Sequence, residues 1–341
     1  MAKTAAGKGH FNELDIMKGI GIWAVVIGHL QPDKPAVTVI YSVHMFLFFF
    51  CSGFLGERYK DRHYGEVLWG NVKRLLFPYA IWGIISQAYE LILGYQTFDQ
   101  AVKRFFFIGK WVGWNAPLWF FIVLFWVEII GYLAVRLPIL VKVVLMGISA
   151  WAWYYISTQG YALWFGLRIV PIGLFFWLLG LVIRELYEKP SFKKMLSKWW
   201  QLLIALIPLL AAWILLGVVY NDTISVYHVT YSNYPFTLIA GMAGTAFLLL
   251  FCRLIDMTKV VNLIGKFFAV YGKNSLFILC SHHFFLRGLQ HFSKLYMGKN
   301  LWLTVDTWKA FRIGTELMLL YFVLILLLRP LKKKGFMKYL I

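Results

Sequence analysis

The sequence predicts an all-α membrane protein: a bundle of about ten transmembrane helices, both termini cytoplasmic, forming one domain over residues 1–341. Three observations predict it. Hydrophobic residues make up 61% of the 341 and charged residues only 14%, against roughly 45–50% and 25% in soluble domains. The apolar residues gather in windows of about 20, the length that crosses a hydrocarbon core. The 34 Lys and Arg fall mostly between those windows, and mainly on alternate sides. A soluble enzyme is excluded, since its surface could not be made polar enough; so are a disordered chain and a secreted disulfide scaffold. Cys51, Cys252 and Cys280 lie inside apolar windows, with no CxxC pair and no His at metal spacing beside them. They read as small hydrophobes, and no metal is expected. The net charge of +19 does not point to nucleic acid, because no compact basic face interleaved with aromatics accompanies it.

The windows run 14–31, 36–56, 72–94, 116–135, 139–157, 163–184, 200–220, 235–255, 274–292 and 307–329. The first carries Asp15, Lys18 and His29. It is no signal peptide, because it lacks a small-residue cleavage site and leads straight into a second apolar run. That second window holds His44, and the third opens on Lys73 and Arg74. Segment 98–111 is too short to span and mixes Lys103, Arg104 and Lys110 with Phe105, Phe106 and Phe107, which suits a helix lying in the interface plane. Glu128 lies deep in the fourth window and Arg168 in the sixth. Segment 258–272 looks like 98–111 and leads into the ninth window, where His282 and His283 are adjacent. With the N-terminus inside, inner segments hold 24 Lys plus Arg and outer segments 9, the positive-inside pattern of a multi-pass plasma-membrane protein in its lipid bilayer.

Ionisable groups inside spans are costly and are default functional candidates. Glu90 and Glu316, near the outer boundary, fit a buried group satisfied by one neighbour or one snorkelling at a helix end, and Glu128 fits a structural pairing with a neighbouring basic group. His44 either faces His29 across the pore or is a hydrogen-bonded packing residue. Of His282 and His283, one is expected to face the bundle axis, since helical neighbours diverge by about 100°. His29 and Lys18 stand eleven residues apart, within about 20° of one helical face and separated by a rise of about 16 Å. A long ligand with an anionic head and a reactive tail matches that pair, and coenzyme A has this shape. Lys18, Lys73 and Arg74 would then hold its phosphates; for Lys73 and Arg74, topology alone is the competing explanation.

The run Asp15-Ile-Met-Lys18-Gly19 through Gly28-His29 resembles the opening signature of the acyltransferase 3 family, integral membrane acyltransferases that include fucose 4-O-acetylase-like proteins. Four further stretches agree in order: Val43-His44-Met45 leading to Ser52-Gly53-Phe54, Lys73-Arg74 before Pro78-Tyr79, Pro117-Leu118-Trp119-Phe120, and Gly272-Lys273-Asn274-Ser275-Leu276 with His282 seven residues after the Ser. Phe46 stands where the family has Pro after His-Met, and Val43 replaces a Phe. The resemblance implies transfer of an acyl group, acetyl from acetyl-CoA, to a hydroxyl of a carbohydrate or other cell-envelope acceptor. It places the essential His at His29 and its basic partner at Lys18. His44, His282, Trp119 and Ser275 enter the candidate site on the same footing.

Two routes serve such a transfer. Neutral His29, a form that burial favours, takes the proton of the attacking hydroxyl, or it attacks first and carries the acyl group. An oxyanion partner is needed, and Ser52, Asn115, Arg168 and His282 are candidates. The loop from Asn221 to Asn233, flanked by Tyr220 and Tyr234 and holding Tyr227, His228 and Tyr231, offers stacking and hydroxyl contacts to a sugar, although an interfacial Tyr belt accounts for most of it. The alternative function is a transporter or flippase for a lipid-linked sugar, against which stands the lack of two related halves.

Overall fold

The computed structural model describes residues 10–331 except 109, 110, 162, 259, 260 and 299–305. The helices are α1 (Asn12–Gly28), α2 (Lys34–Tyr41), α3 (His44–Phe54), α4 (Tyr64–Asn71), α5 (Phe77–Ile92), α6 (Phe98–Phe105), α7 (Trp119–Ala134), α8 (Ile139–Gln159), α9 (Val170–Tyr187), α10 (Pro190–Leu196), α11 (Trp199–Ile214), α12 (Tyr234–Met257), α13 (Asn262–Lys273), α14 (Ser275–Met297) and α15 (Thr307–Leu328). Among the described residues, eight helical stretches are long and apolar enough to cross a membrane, and α13 with α14 form a ninth, bent by 74°. At 17 residues α1 is shorter, about 26 Å by its rise. The molecule is an all-α polytopic membrane protein. Outside the helices, among the described residues, only Ile224–Ser225 (β1) and Thr230–Tyr231 (β2) pair as strands, antiparallel, with Ile224 opposite Tyr231.

Glycines set the closest crossings, as small residues do where helices cannot rely on water to drive them together. A Cβ on Gly272 of α13 would lie 1.8 Å from the carbonyl oxygen of Asp15, and one on Gly19 of α1 would lie 2.0 Å from that of Phe268. The two helices therefore interlock backbone to backbone. The same applies to α3 and α9, where Gly53 would meet the Trp177 carbonyl and Gly180 that of Phe50. The inner helices α1, α3, α7 and α9 bury a core of large aromatics that includes Phe46, Phe49, Phe120, Phe121, Phe176 and Trp177. In contrast α8, α11 and α15 are mostly exposed and form the lipid-facing rim.

Three local irregularities position the site. The second span breaks at Ser42 and Val43, so that His44 begins α3 rather than lying within a continuous helix. The third span carries a π-helical turn over Val72–Leu76, a widening often found at functional sites. The α13–α14 bend at Asn274 starts a new helix, α14, at Ser275. Among its described residues, segment 98–111 holds the short helix α6, begun by a capping box of Thr97 and Gln100; residues 109 and 110, Lys110 among them, lie outside the described residues. The expectation of an interfacial helix over 258–272 is corrected: α13 packs along α1, with Gly265, Ala269, Tyr271 and Gly272 buried.

Candidate active site

Two cavities lie end to end along α1. The larger, about 450 Å³, is lined by Lys18, Ser52, Arg58, Arg74 and the continuous stretch Gly272–Phe277. The smaller, about 260 Å³, is lined by His29, Tyr41, His44, Trp111, Trp119, Tyr227 and His228. Neighbouring residues of the same helices divide between them: Phe48, Phe120 and Cys280 face the first, and Met45, Trp119 and Leu279 the second. Little more than one layer of side chains separates the two. The Phe48 and Phe120 ring centroids are 5.9 Å apart, as are those of Trp119 and Phe120.

Basic groups gather around the first cavity. Lys18 pairs with Asp15 at 2.7 Å, which fixes its ammonium from one turn away, and Lys273 reaches the same carboxylate at 3.9 Å. Glu128, fully buried, takes a 2.5 Å ion pair from Arg74 and a 2.5 Å hydrogen bond from Ser52, with Arg58 at 3.6 Å. One carboxylate thus aims two guanidiniums and a hydroxyl, the structural pairing expected of Glu128. The first residues of α14, Ser275 to Phe277, line the same cavity, and a helix N-terminus favours negative charge. Lys73 does not take the place expected of it. Its ammonium lies over the Trp69 ring at 4.9 Å and lines no part of the cavity. Arg58 and Lys273 stand there instead; the sequence offered Lys273 within its Gly-Lys-Asn-Ser stretch, and Arg58 only as a loop charge.

The second cavity is organised by three imidazoles. The helical hydrogen-bond pattern of α1 continues to His29, whose N–H donates to Val25 O at 3.1 Å, so the rise from Lys18 to His29 holds. The His29 ring lies 4.4 Å from that of His283 and 5.2 Å from that of His282, centroid to centroid. Both members of the pair meet the His29 ring, and the three rings form a compact group. Nδ1 of His282 lies 2.9 Å from Ile278 O, and Nδ1 of His283 lies 3.0 Å from Trp114 O. A carbonyl only accepts, so each Nδ1 carries the proton and each Nε2 presents a lone pair. Both Nε2 atoms are buried without a hydrogen-bond partner. Neutral His282 therefore cannot donate to an oxyanion through that nitrogen. His44 lines the same cavity as His29, its Nδ1 held 2.8 Å from Ile40 O.

The remaining candidates brace this arrangement. Asn115 donates to Ser86 Oγ and Cys280 O, both at 3.1 Å, and lines neither cavity. Arg168 donates to Tyr227 O at 2.8 Å, pinning the β1–β2 loop over the second cavity. Tyr227 accepts from the Val112 N–H at 3.2 Å, and its ring lies 5.9 Å from that of Trp119. Burial pushes the Tyr227 hydroxyl up to about 12, and burial, with the Arg168 charge second, holds His228 below its ordinary value; both stay neutral near pH 7. Of the loop aromatics, Tyr227 and His228 line the cavity, whereas Tyr231 and Tyr234 pack on Trp153. Glu90 pairs with Arg104 at 2.9 Å and Glu316 with Arg312 at 2.9 Å, away from both cavities.

Residues 11–328 match the model of a family described as an acyltransferase domain. The chain matches no curated protein and no solved structure.

Proposed function

We propose a specific reaction from one premise: the chain belongs to the acyltransferase 3 family, whose model spans nearly all of it, and is a membrane acyltransferase. In this reading it moves an acetyl group from acetyl-CoA, bound from the cytoplasm, to a hydroxyl of a carbohydrate or other envelope acceptor. The observation that carries the reading is that α1 presents Lys18 to the basic cavity and His29 to the other, about 16 Å further along its axis. The phosphates of the donor meet Lys18, Arg58, Arg74, Lys273 and the α14 N-terminus. The neutral pantetheine arm passes the Phe48–Phe120 layer and brings its thioester to His29.

At His29 the acceptor hydroxyl attacks the thioester carbonyl while the imidazole takes its proton. A C–O bond forms, the C–S bond breaks, and the departing thiolate recovers the proton from the imidazolium. The lone pairs of His282 and His283 favour a proton on the side of the His29 ring that they face, which leaves the other nitrogen as the base. Tyr227, His228 and Trp111 supply an aromatic and hydrogen-bonding wall for a sugar. A covalent variant, in which His29 attacks first and holds the acetyl group, is favoured by the layer between the cavities, because donor and acceptor then need not be present together.

The test is release of free CoA thiol by purified protein given acetyl-CoA and an envelope-glycan acceptor. The wild type should release thiol in step with acetylated product, and His29→Ala should lose at least about 100-fold, in line with the 10²–10⁴-fold worth of a general base. Product without thiol release, or full turnover by folded His29→Ala, would overturn the reading; acceptor movement without either product would favour a transporter. Acid-labile label on the wild type after radioactive acetyl-CoA alone, absent from His29→Ala, selects the covalent variant.

A further inference from the structure

We infer that His29, His282 and His283 form a binding site for a zinc-class divalent cation, and that filling it removes His29 from acyl transfer. The second half rests on the catalytic reading of His29; the first does not. One ring nitrogen from each residue lies within 4.8 Å of the other two. In a tetrahedral site with Zn–N near 2.0–2.1 Å, such nitrogens stand about 3.4 Å apart, so the rings need draw together by roughly 1.4 Å. Two of the ligand atoms are already shielded: His282 is fully inaccessible, His29 and His283 are half-buried, and the Nε2 atoms of His282 and His283 are buried with no hydrogen-bond partner. A buried acceptor left unmatched is costly, and here two such atoms stand in one three-histidine group.

The hydrogen bonds behind the rings point the same way. In both His282 and His283 the Nδ1–H is spent on a backbone carbonyl, Ile278 and Trp114 respectively. That arrangement fixes the tautomer, orients Nε2 and raises its basicity, as in metal-ligating histidines generally. Three neutral imidazoles suit zinc, copper or nickel rather than magnesium or calcium, which want oxygen. His29 lines the 260 Å³ cavity, so a fourth coordination position on that side is open to water or a small anion. The cation takes the His29 nitrogen that faces His282 and His283, which moves the ring proton to the other nitrogen, the one that serves as base, so the two uses exclude each other.

The probe is Co²⁺ added to full-length protein in detergent after chelator treatment, read by its visible absorption. One Co²⁺ per chain, displaced by Zn²⁺, with affinity reduced at least about 100-fold in His282→Ala and His283→Ala, is the expected result. Thiol release should fall as Zn²⁺ fills the site and return with chelator. Should either variant fail to fold, Zn²⁺ protection of the three wild-type imidazoles against diethyl pyrocarbonate, mapped by mass spectrometry, replaces it. No Co²⁺ signal, or binding that survives both substitutions, overturns the site. Turnover that rises with Zn²⁺ overturns the inhibition while leaving the site in place. Because Co²⁺ binding is read without turnover, acyl transfer in chelator with no metal binding sinks only this inference, and metal binding without acyl transfer sinks only the proposed reaction.

Discussion

Lys73 and Arg74 are neighbours in the chain with opposite surroundings. Arg74 is drawn into the basic cavity by Glu128 and Asn71, the latter accepting at 2.8 Å, while Lys73 rests on Trp69. Arg74→Ala and Lys18→Ala should each raise the KM for acetyl-CoA about tenfold with little change in kcat, a loss of binding shared by ground and transition state; Lys73→Ala should leave both constants alone. An equal response of Lys73→Ala would mean that simple positive charge at this end, rather than the aimed pair, binds the donor. Single residues with a steep cost were the legible ones. An imidazole inside a span announces itself, and the spacing of Lys18 and His29 follows from helix geometry alone. The meeting of His282 and His283 with His29 was not legible, because a crevice between helices admits two adjacent side chains where a single axis admits one. Arg58 was hidden among ordinary loop charges, and only the placement of Glu128 distinguishes it.

Elements of this protein are set by hydropathy and then modified by backbone contacts that hydropathy does not record. Nine of the ten windows start within three residues of the helical stretch found there; the exception is the third, whose helix begins eight residues earlier at Tyr64. The break before His44, the π turn under Arg74 and the bend at Asn274 were invisible, since each arises from packing between helices rather than from local composition. The glycines are the trace they leave in the sequence. Gly19 and Gly272, both within the stretches that carried the family resemblance, are the points where α1 and α13 touch. Gly272→Ala should therefore destabilise the folded protein by about 1–3 kcal/mol, because the added methyl must displace backbone. Gly288→Ala in α14, where a Cβ meets nothing within 4 Å, should be neutral or slightly stabilising. Thermal unfolding midpoints of the two variants in one detergent decide it; equal midpoints would mean that the α1–α13 crossing is looser than described.

At the scale of the whole molecule, the two cavities matter only if they face different compartments, and the charge split of 24 to 9 predicts the basic cavity inside. Cysteines placed at Thr4 and Lys333, both outside the described residues, should resist an impermeant thiol reagent in intact cells. One at Asp222, exposed beside the β1–β2 loop, should react; the native cysteines are all buried and add little background. Labelling of the terminal sites would invert the bundle and hand the donor to the other compartment. The thin aromatic layer at Phe48, Trp119 and Phe120 then has an electrical meaning. The field across a membrane falls over the part of a protein that water does not reach, and moving one elementary charge through 100 mV changes its energy by about 2.3 kcal/mol. In the proposed reaction the phosphates halt below the layer and only an uncharged arm and an acetyl group pass it, while the proton leaves and returns on one side. The layer acts as the dielectric of a capacitor that turnover never discharges. In sealed vesicles, imposing or collapsing a 100 mV potential should leave the rate unchanged and draw no current; a voltage-dependent rate would mean that a charge travels with the acyl group.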